Sequence, residues 1–313
     1  MKIILKILYD HLSNHLTWKL VAGFVAVSIP LFWINYSLDL EDGMIDKEPN
    51  NGLRFLYMFL FHGLPYLAVS ALVYLSGKER SWFRNPRFWL MFFAGFTILA
   101  FDRSWSLWPL VRGQFEEQEI HFIYRVISKG KAVFTVIIPL LIFYALTEHH
   151  KPRHFYGIAI RRFNARPYFL ILGIAAIIVV IAGFFGDIQE FYPRYQRSYG
   201  DRFAEYNKIP EWWAVLMYEI PYGFDFISTE FLFRGFFAIG MYRVLGPHAV
   251  LPMAMAYCII HFGKPMTEAI SSIFGGYILG VIAIKHRNIW GGVIIHVGMA
   301  WMMEMVGFAW RIF

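Results

Sequence analysis

Apolar runs close to the ~20 residues that a helix needs to cross a ~30 Å hydrocarbon core recur along the whole chain, and this repetition restricts the fold more than any other feature. They fall at about 18–37, 53–76, 87–102, 131–147, 167–186, 212–243, 247–263, 266–284 and 289–310 by that length criterion. The third is short. The expectation is therefore an all-α, polytopic membrane helical bundle with about 8–9 transmembrane helices, since only helices satisfy every backbone polar group inside a span.

Composition points the same way. Of 313 residues, 58% are hydrophobic and 16% charged, whereas a soluble domain of this size needs roughly 25% charged residues to cover its surface. The formal net charge of +7 raises nucleic acid as a partner. The basic residues, however, sit in short loops between apolar runs rather than on one face, so no nucleic acid is expected and the charge reports orientation instead. Cys258 is the sole cysteine, which excludes an intrachain disulfide, and its apolar setting reads as a packed small residue. Residues 1–19 carry scattered charges and lack a short apolar stretch followed by a small-residue cleavage site. They read as an amphipathic interfacial lead-in.

Loop charge alternates. Lys2, Lys6 and Lys19 precede the first run; Lys78, Arg80, Arg84 and Arg87 fill the second loop; Lys151, Arg153, Arg161, Arg162 and Arg166 fill the fourth. The intervening loops hold Asp39, Glu41, Asp42, Asp46 and Glu48, then Glu116, Glu117 and Glu119, then the stretch 187–211. The positive-inside rule puts the N-terminus in the cytoplasm, with Arg243 and Lys285-His286-Arg287 on the same side. Membrane lipid is the expected surrounding, and a bacterial inner (cytoplasmic) membrane the expected location.

No repeat, low-complexity tract or domain linker interrupts the chain, which reads as one integral membrane domain in two stretches. Residues 1–165 form the N-terminal transmembrane helices. Their intramembrane polar groups, Asn35 and His62, read as hydrogen-bonded contacts between helices. Residues 166–313 carry the chemistry. In Ser228-Thr229-Glu230-Phe231-Leu232-Phe233-Arg234-Gly235 a carboxylate and a guanidinium stand one turn apart in an apolar run. A charge at bilayer depth costs on the order of 3 kcal/mol even on lenient insertion scales, so the two are expected to pair as i and i+4. Glu219 lies three helical turns earlier on the same stripe, with Tyr222, Gly223 and Phe226 between. A structural ion pair and a functional site both fit this segment.

Two histidines tilt that balance. His261 ends an apolar run at the helix-breaking corner Gly263-Lys264-Pro265, and His296 lies within the last run. Counting from the basic ends at 1.5 Å per residue puts Glu230, His261 and His296 at depths of roughly 20, 21 and 14 Å. A Glu and two His near one depth on three helices suit water activation or metal binding.

Glu230-Phe-Leu-Phe-Arg234-Gly235, Tyr257-xxx-His261, Gly-Gly-Tyr-Ile-Leu-Gly at 275–280 and Asn-Ile-Trp-Gly-Gly-Val-Ile-Ile-His296 together resemble the CPBP family of intramembrane proteases, the group of the CaaX prenyl endopeptidases and bacteriocin-processing enzymes. The resemblance covers about residues 210–300, within the 166–313 stretch, and leaves the earlier helices outside it. The family pattern is Glu-Glu-xxx-Arg, Phe-xxx-His and His-xxx-Asn. In members described as glutamate proteases, the first Glu and a His activate the attacking water, while the other His and the Asn hold the developing oxyanion; older descriptions treat the same residues as zinc ligands. Glu230 matches the second Glu, Arg234 the Arg, His261 the second motif's His and His296 the third's. Thr229 stands in place of the first Glu, Tyr257 in place of the Phe and Ala300 in place of the Asn.

The resemblance implies a membrane-embedded endopeptidase that hydrolyses a peptide or protein substrate with a Glu/His-activated water. Glu230, His261 and His296 would be its catalytic residues, with Arg234 and Tyr257 in support. Beside the resemblance, Glu304, two turns beyond His296, is a further supporting carboxylate or, near the end of the last helix, a group that simply reaches the interface, and Tyr257 or Trp301 could donate a hydrogen bond. No cofactor is expected. Zinc would take Glu230, His261 and His296, a count that suits a catalytic site, but no closely spaced ligand pair such as His-Glu-xx-His is present. Thr229 and Ala300 favour an alternative, a catalytically inactive CPBP-like membrane scaffold or binding protein. A proton-coupled transporter would also bury Glu and His, but it would require inverted repeats, and none is visible.

Overall fold

A computed structural model describes residues 2–77, 81–148, 155–158, 163–184 and 186–312. The loop cations Lys78, Arg80, Lys151, Arg153, Arg161 and Arg162 lie outside them. Among the described residues 85% are helical and none is in a strand. In chain order the main helices are α1 (Lys2–His15), α2 (Trp18–Leu38), α3 (Asn51–Leu75), α4 (Pro86–Ser104), α5 (Glu117–Gly130), α6 (Ile138–Glu148), α7 (Arg166–Ala182), α8 (Gly200–Tyr206), α9 (Glu211–Glu230), α10 (Val250–Ile259), α11 (Met266–His286) and α12 (Trp290–Ile312). A π-helical segment, Phe231–Gly240, follows α9 directly.

Local chemistry sets several of these boundaries. Thr17, Asn50 and Asn85 each place a side-chain oxygen on the first-turn amides of α2, α3 and α4, and Pro86 follows Asn85 where a missing N–H costs nothing. Trp18–Leu38, Asn51–Leu75, Glu117–Glu148, Met266–His286 and Trp290–Trp310 are long and apolar enough to cross a membrane; Arg166–Ile181 is apolar but shorter. Pro86–Ser104 is of comparable length but carries Arg87, Asp102 and Arg103, and Glu211–Glu230 carries Glu219, Asp225 and Glu230. The molecule is an all-α polytopic membrane bundle.

The chain divides into two compact units, each drawn from three stretches. The first comprises 1–105, 138–163 and 230–292; the second comprises 106–137, 164–229 and 293–313.

The first unit is centred on Leu20 and Phe24 of α2, Val69 and Val73 of α3, Leu251, Met255, Cys258 and Ile259 of α10, and Ala269 of α11. Cys258 is buried there and its thiol donates to Ala269 O (3.2 Å), as a packed small residue would. An aromatic seam of Tyr66, Phe88, Phe92, Phe96 and Phe237 joins α3, α4 and the π segment.

Polar contacts sort the loops of this unit into two ends. At one, Glu148 binds both Arg87 and Arg243, His11 reaches Pro247 O and Arg287 donates to Ile239 O. At the other, Asn35 Oδ1 accepts from Glu41 N (3.1 Å) while its Nδ2 donates to Phe262 O (3.1 Å). Tyr36 donates to Lys264 O, Arg54 to Ser104 O, and Arg103 pairs with Glu41. The loops that group together are the alternate ones. Asn35 is thus a contact between helices, as expected, and the buried His62 bonds Met58 O through Nδ1 (2.8 Å).

The second unit packs Phe122 of α5, Tyr195, Phe203 of α8, Tyr218, Tyr222 and Phe226 of α9 and Ala300 of α12 into one core.

Candidate functional site

Glu230, Arg234, Tyr257 and His261 fall in the first unit, and His296, Ala300 and Glu304 in the second; the chain passes from second to first between Thr229 and Glu230.

Glu230 is the last residue of α9, and Arg234 lies in the π segment, whose ten residues are all buried. Both are 0% exposed, with Nη1 of Arg234 3.0 Å from Oε1 of Glu230. Pairing is what allows two charges to stay in such surroundings, because removal of one partner would leave the other buried and uncompensated. The guanidinium carbon sits 3.8 Å over the Tyr257 ring, a cation–π contact that covers the flat face of the cation. The Tyr257 ring packs edge-on against Phe233 and against His261, 4.7 Å away.

His261 is 5% exposed, in the turn that ends α10. Its Nδ1 lies 2.8 Å from Tyr257 O, so that nitrogen carries the proton and Nε2 the lone pair. The helix stops at Ile259, two residues before His261, so His261 stands in the turn rather than on the helix, and the corner Gly263-Lys264-Pro265 leads from that turn into α11.

Gly292, in the sequence only part of the run before His296 with no role of its own, completes this arrangement. A β-carbon there would collide with Glu230 Oε2, so the carboxylate lies directly against the backbone of the first turn of α12. The positive end of a helix dipole favours a carboxylate at that place. The only signal in the sequence was the Gly291-Gly292 pair itself.

In the second unit, the half-buried His296 ring packs against Phe226 at 4.3 Å. Glu304 is 3% exposed, and its two oxygens accept from Arg194 N (2.7 Å) and Tyr195 N (3.2 Å). That carboxylate ties the 192–195 stretch to α12. Trp301 spends its indole N–H on Glu219 O (3.3 Å). Thr229 donates its hydroxyl to Asp225 O one turn back (3.3 Å), and Ala300 is part of the apolar core. Asp225 lies 3.8 Å from Lys129, whose ammonium sits over Tyr222.

Within neither unit do three His, Cys, Asp or Glu side chains among the described residues gather at metal-ligand spacing. Neither unit by itself fits zinc, and no step is assigned to a metal.

Residues 211–302 match the family described as Rce1-like, type II CAAX prenyl endopeptidase Rce1-like. The match is consistent with the CPBP intramembrane proteases and spans less than a third of the chain. No curated protein and no solved structure matches.

Proposed function

We propose, on the premise that residues 211–302 form a CPBP-type protease core, that the protein is an intramembrane endopeptidase that hydrolyses a peptide bond with water activated by Glu230 and His261. The observation that carries this reading is the fully buried Glu230–Arg234 pair, fixed under Tyr257 in the same unit as His261. In the proposed step Arg234 holds Oε1, Oε2 takes the proton of the attacking water, and Nε2 of His261 orients that water by accepting its second hydrogen. The proton then passes to the departing amine. His296 enters on the family motif alone, as a donor to the developing oxyanion. The substrate is a peptide reached within the membrane. The proposed location is a bacterial inner membrane with the N-terminus in the cytoplasm, an orientation that the alternation of loop charge supports.

A second reading, a non-catalytic relative that keeps the fold as a scaffold or binding protein, is favoured by Thr229 and Ala300. One has its hydroxyl on a backbone carbonyl and the other is apolar core, so neither supplies a carboxylate or an amide.

The deciding experiment follows cleavage of prenylated and unprenylated peptides in proteoliposomes by wild type, Glu230→Gln, His261→Ala and His296→Ala, each first shown to be monodisperse. Loss of roughly 100-fold or more for Glu230→Gln and His261→Ala is expected. Equal cleavage by all four removes the protease assignment, and a folded wild type that cleaves nothing favours the scaffold.

A further inference from the structure

A cavity of about 650 Å³ opens in the first unit between α1 and the C-terminal end of α11. Its walls include Lys6, Asp10, His11 and His15 from α1, and Lys285 and Arg287 from the end of α11. Three of these side chains are cations and one is an acid, so the wall is net positive before either histidine takes a proton. Neither Lys6 nor Lys285 pairs with an acid among the described residues, and both are exposed at the rim.

The rest of the wall is held in place. His11 Nδ1 lies 2.6 Å from Tyr277 Oη and Nε2 3.1 Å from Pro247 O, which docks α1 against α11. Arg287 adopts a left-handed backbone (φ 50°) just past the helix end, lies over the Tyr242 ring at 4.3 Å and donates to Ile239 O. Its guanidinium is thereby fixed rather than free to swing into solvent.

Two ammonium groups and an oriented guanidinium are the donor set that recognises phosphate. The volume falls within the 300–1,000 Å³ of small-molecule sites and leaves room beyond a bare phosphate for the group esterified to it. Meanwhile α1 turns Leu5, Tyr9 and Leu12 outward, 57%, 70% and 45% exposed, on a face separate from the cavity. That is the pattern of a helix lying in the membrane interface, which keeps Lys6 at headgroup depth.

We propose that this cavity binds a phosphate-ester anion, presented as the headgroup of an anionic phospholipid. The proposal does not depend on the peptidase assignment, because none of its residues belongs to the proposed catalytic set.

The test uses full-length protein in neutral detergent, titrated separately with short-chain phosphatidylglycerol, short-chain phosphatidylcholine and glycerol 3-phosphate, with thermal unfolding and native mass spectrometry as readouts. Phosphatidylglycerol should bind at least roughly tenfold tighter than phosphatidylcholine. The double variant Lys6→Gln/Lys285→Gln should lose roughly tenfold of that affinity, while Lys47→Gln, an exposed cation elsewhere, should lose none. Glycerol 3-phosphate that binds as tightly as the lipid, and loses affinity in the same double variant, assigns the site to soluble phosphate esters. Equal binding of the two lipids with no response to glycerol 3-phosphate overturns the proposal, as does an unchanged affinity in the double variant. Both substituted lysines are exposed, so the variant keeps the core intact.

Discussion

Gly292 and Glu230 are 62 positions apart in the chain, yet the absence of one side chain makes room for the carboxylate of the other. Gly292→Ala should therefore push Glu230 out of register with Arg234, at a cost of about 1–3 kcal/mol for overpacking. If Glu230 also takes the water proton, cleavage should fall much further than stability does. A folded Gly292→Ala protein with wild-type turnover would exclude Glu230 Oε2 from the chemistry. The sequence makes Glu230 and Arg234 visible because charges are rare in an apolar run, and it makes His261 visible through the corner that follows it. It hides Gly292 because a glycine announces only that something is close, not what. It likewise leaves Glu304 ambiguous: a carboxylate near the end of the last helix fits the interface as well as a site, and only the amides of Arg194 and Tyr195 assign it a clamp.

At the level of elements, that clamp is testable. Glu304→Leu should strand the buried amide of Tyr195, at about 1–3 kcal/mol, and the half-buried amide of Arg194 at less, and lower the thermal midpoint. Glu304→Gln, which keeps one acceptor, should lose less and should leave peptide cleavage unaltered. A collapse of turnover in a stably folded Glu304→Gln would mean that the carboxylate does more than bind backbone. The docking of α1 should depend on pH. Burial holds His11 down to about 4, with His15 adding to the effect and the Pro247 bond opposing it. An undocked His11 takes up a proton near 6.5, whereas the docked one resists until about 4, so docking is complete above that upper value and is lost as pH falls between the two. Hydrogen exchange across residues 2–15, corrected for the intrinsic rate, should rise from pH 7.5 to pH 5 in wild type and stay flat in His11→Gln. Identical protection at both pH values in wild type would refute the coupling. The sequence marks α1 as amphipathic, but not as a helix fastened by a histidine to residues more than 230 positions away.

For the whole molecule, the alternate loops of the first unit gather at two ends, as alternating charge requires, and the orientation proposed from the positive-inside rule, with the basic end in the cytoplasm, is open to test. In a Cys258→Ala background, Lys2→Cys should react with an impermeant thiol reagent only after the membrane is opened, whereas Glu205→Cys, in an acidic loop, should react in intact cells. The reverse labelling would invert the topology. What the sequence determined by itself is the helical, membrane-spanning class, the alternation of loops and the residue types able to do chemistry. These follow from one-dimensional regularities: the length of an apolar run, the sign of the loop after it and the cost of a buried charge. It takes the folded chain to place Arg234 between Glu230 and Tyr257, to commit Glu304 and Thr229 to backbone groups, and to divide the chain into two units that each draw on three separate stretches of sequence. Those outcomes depend on which helix faces which, and helix pairing is set by side-chain shape and hydrogen-bond matching between segments far apart in the chain, for which apolar periodicity carries no record.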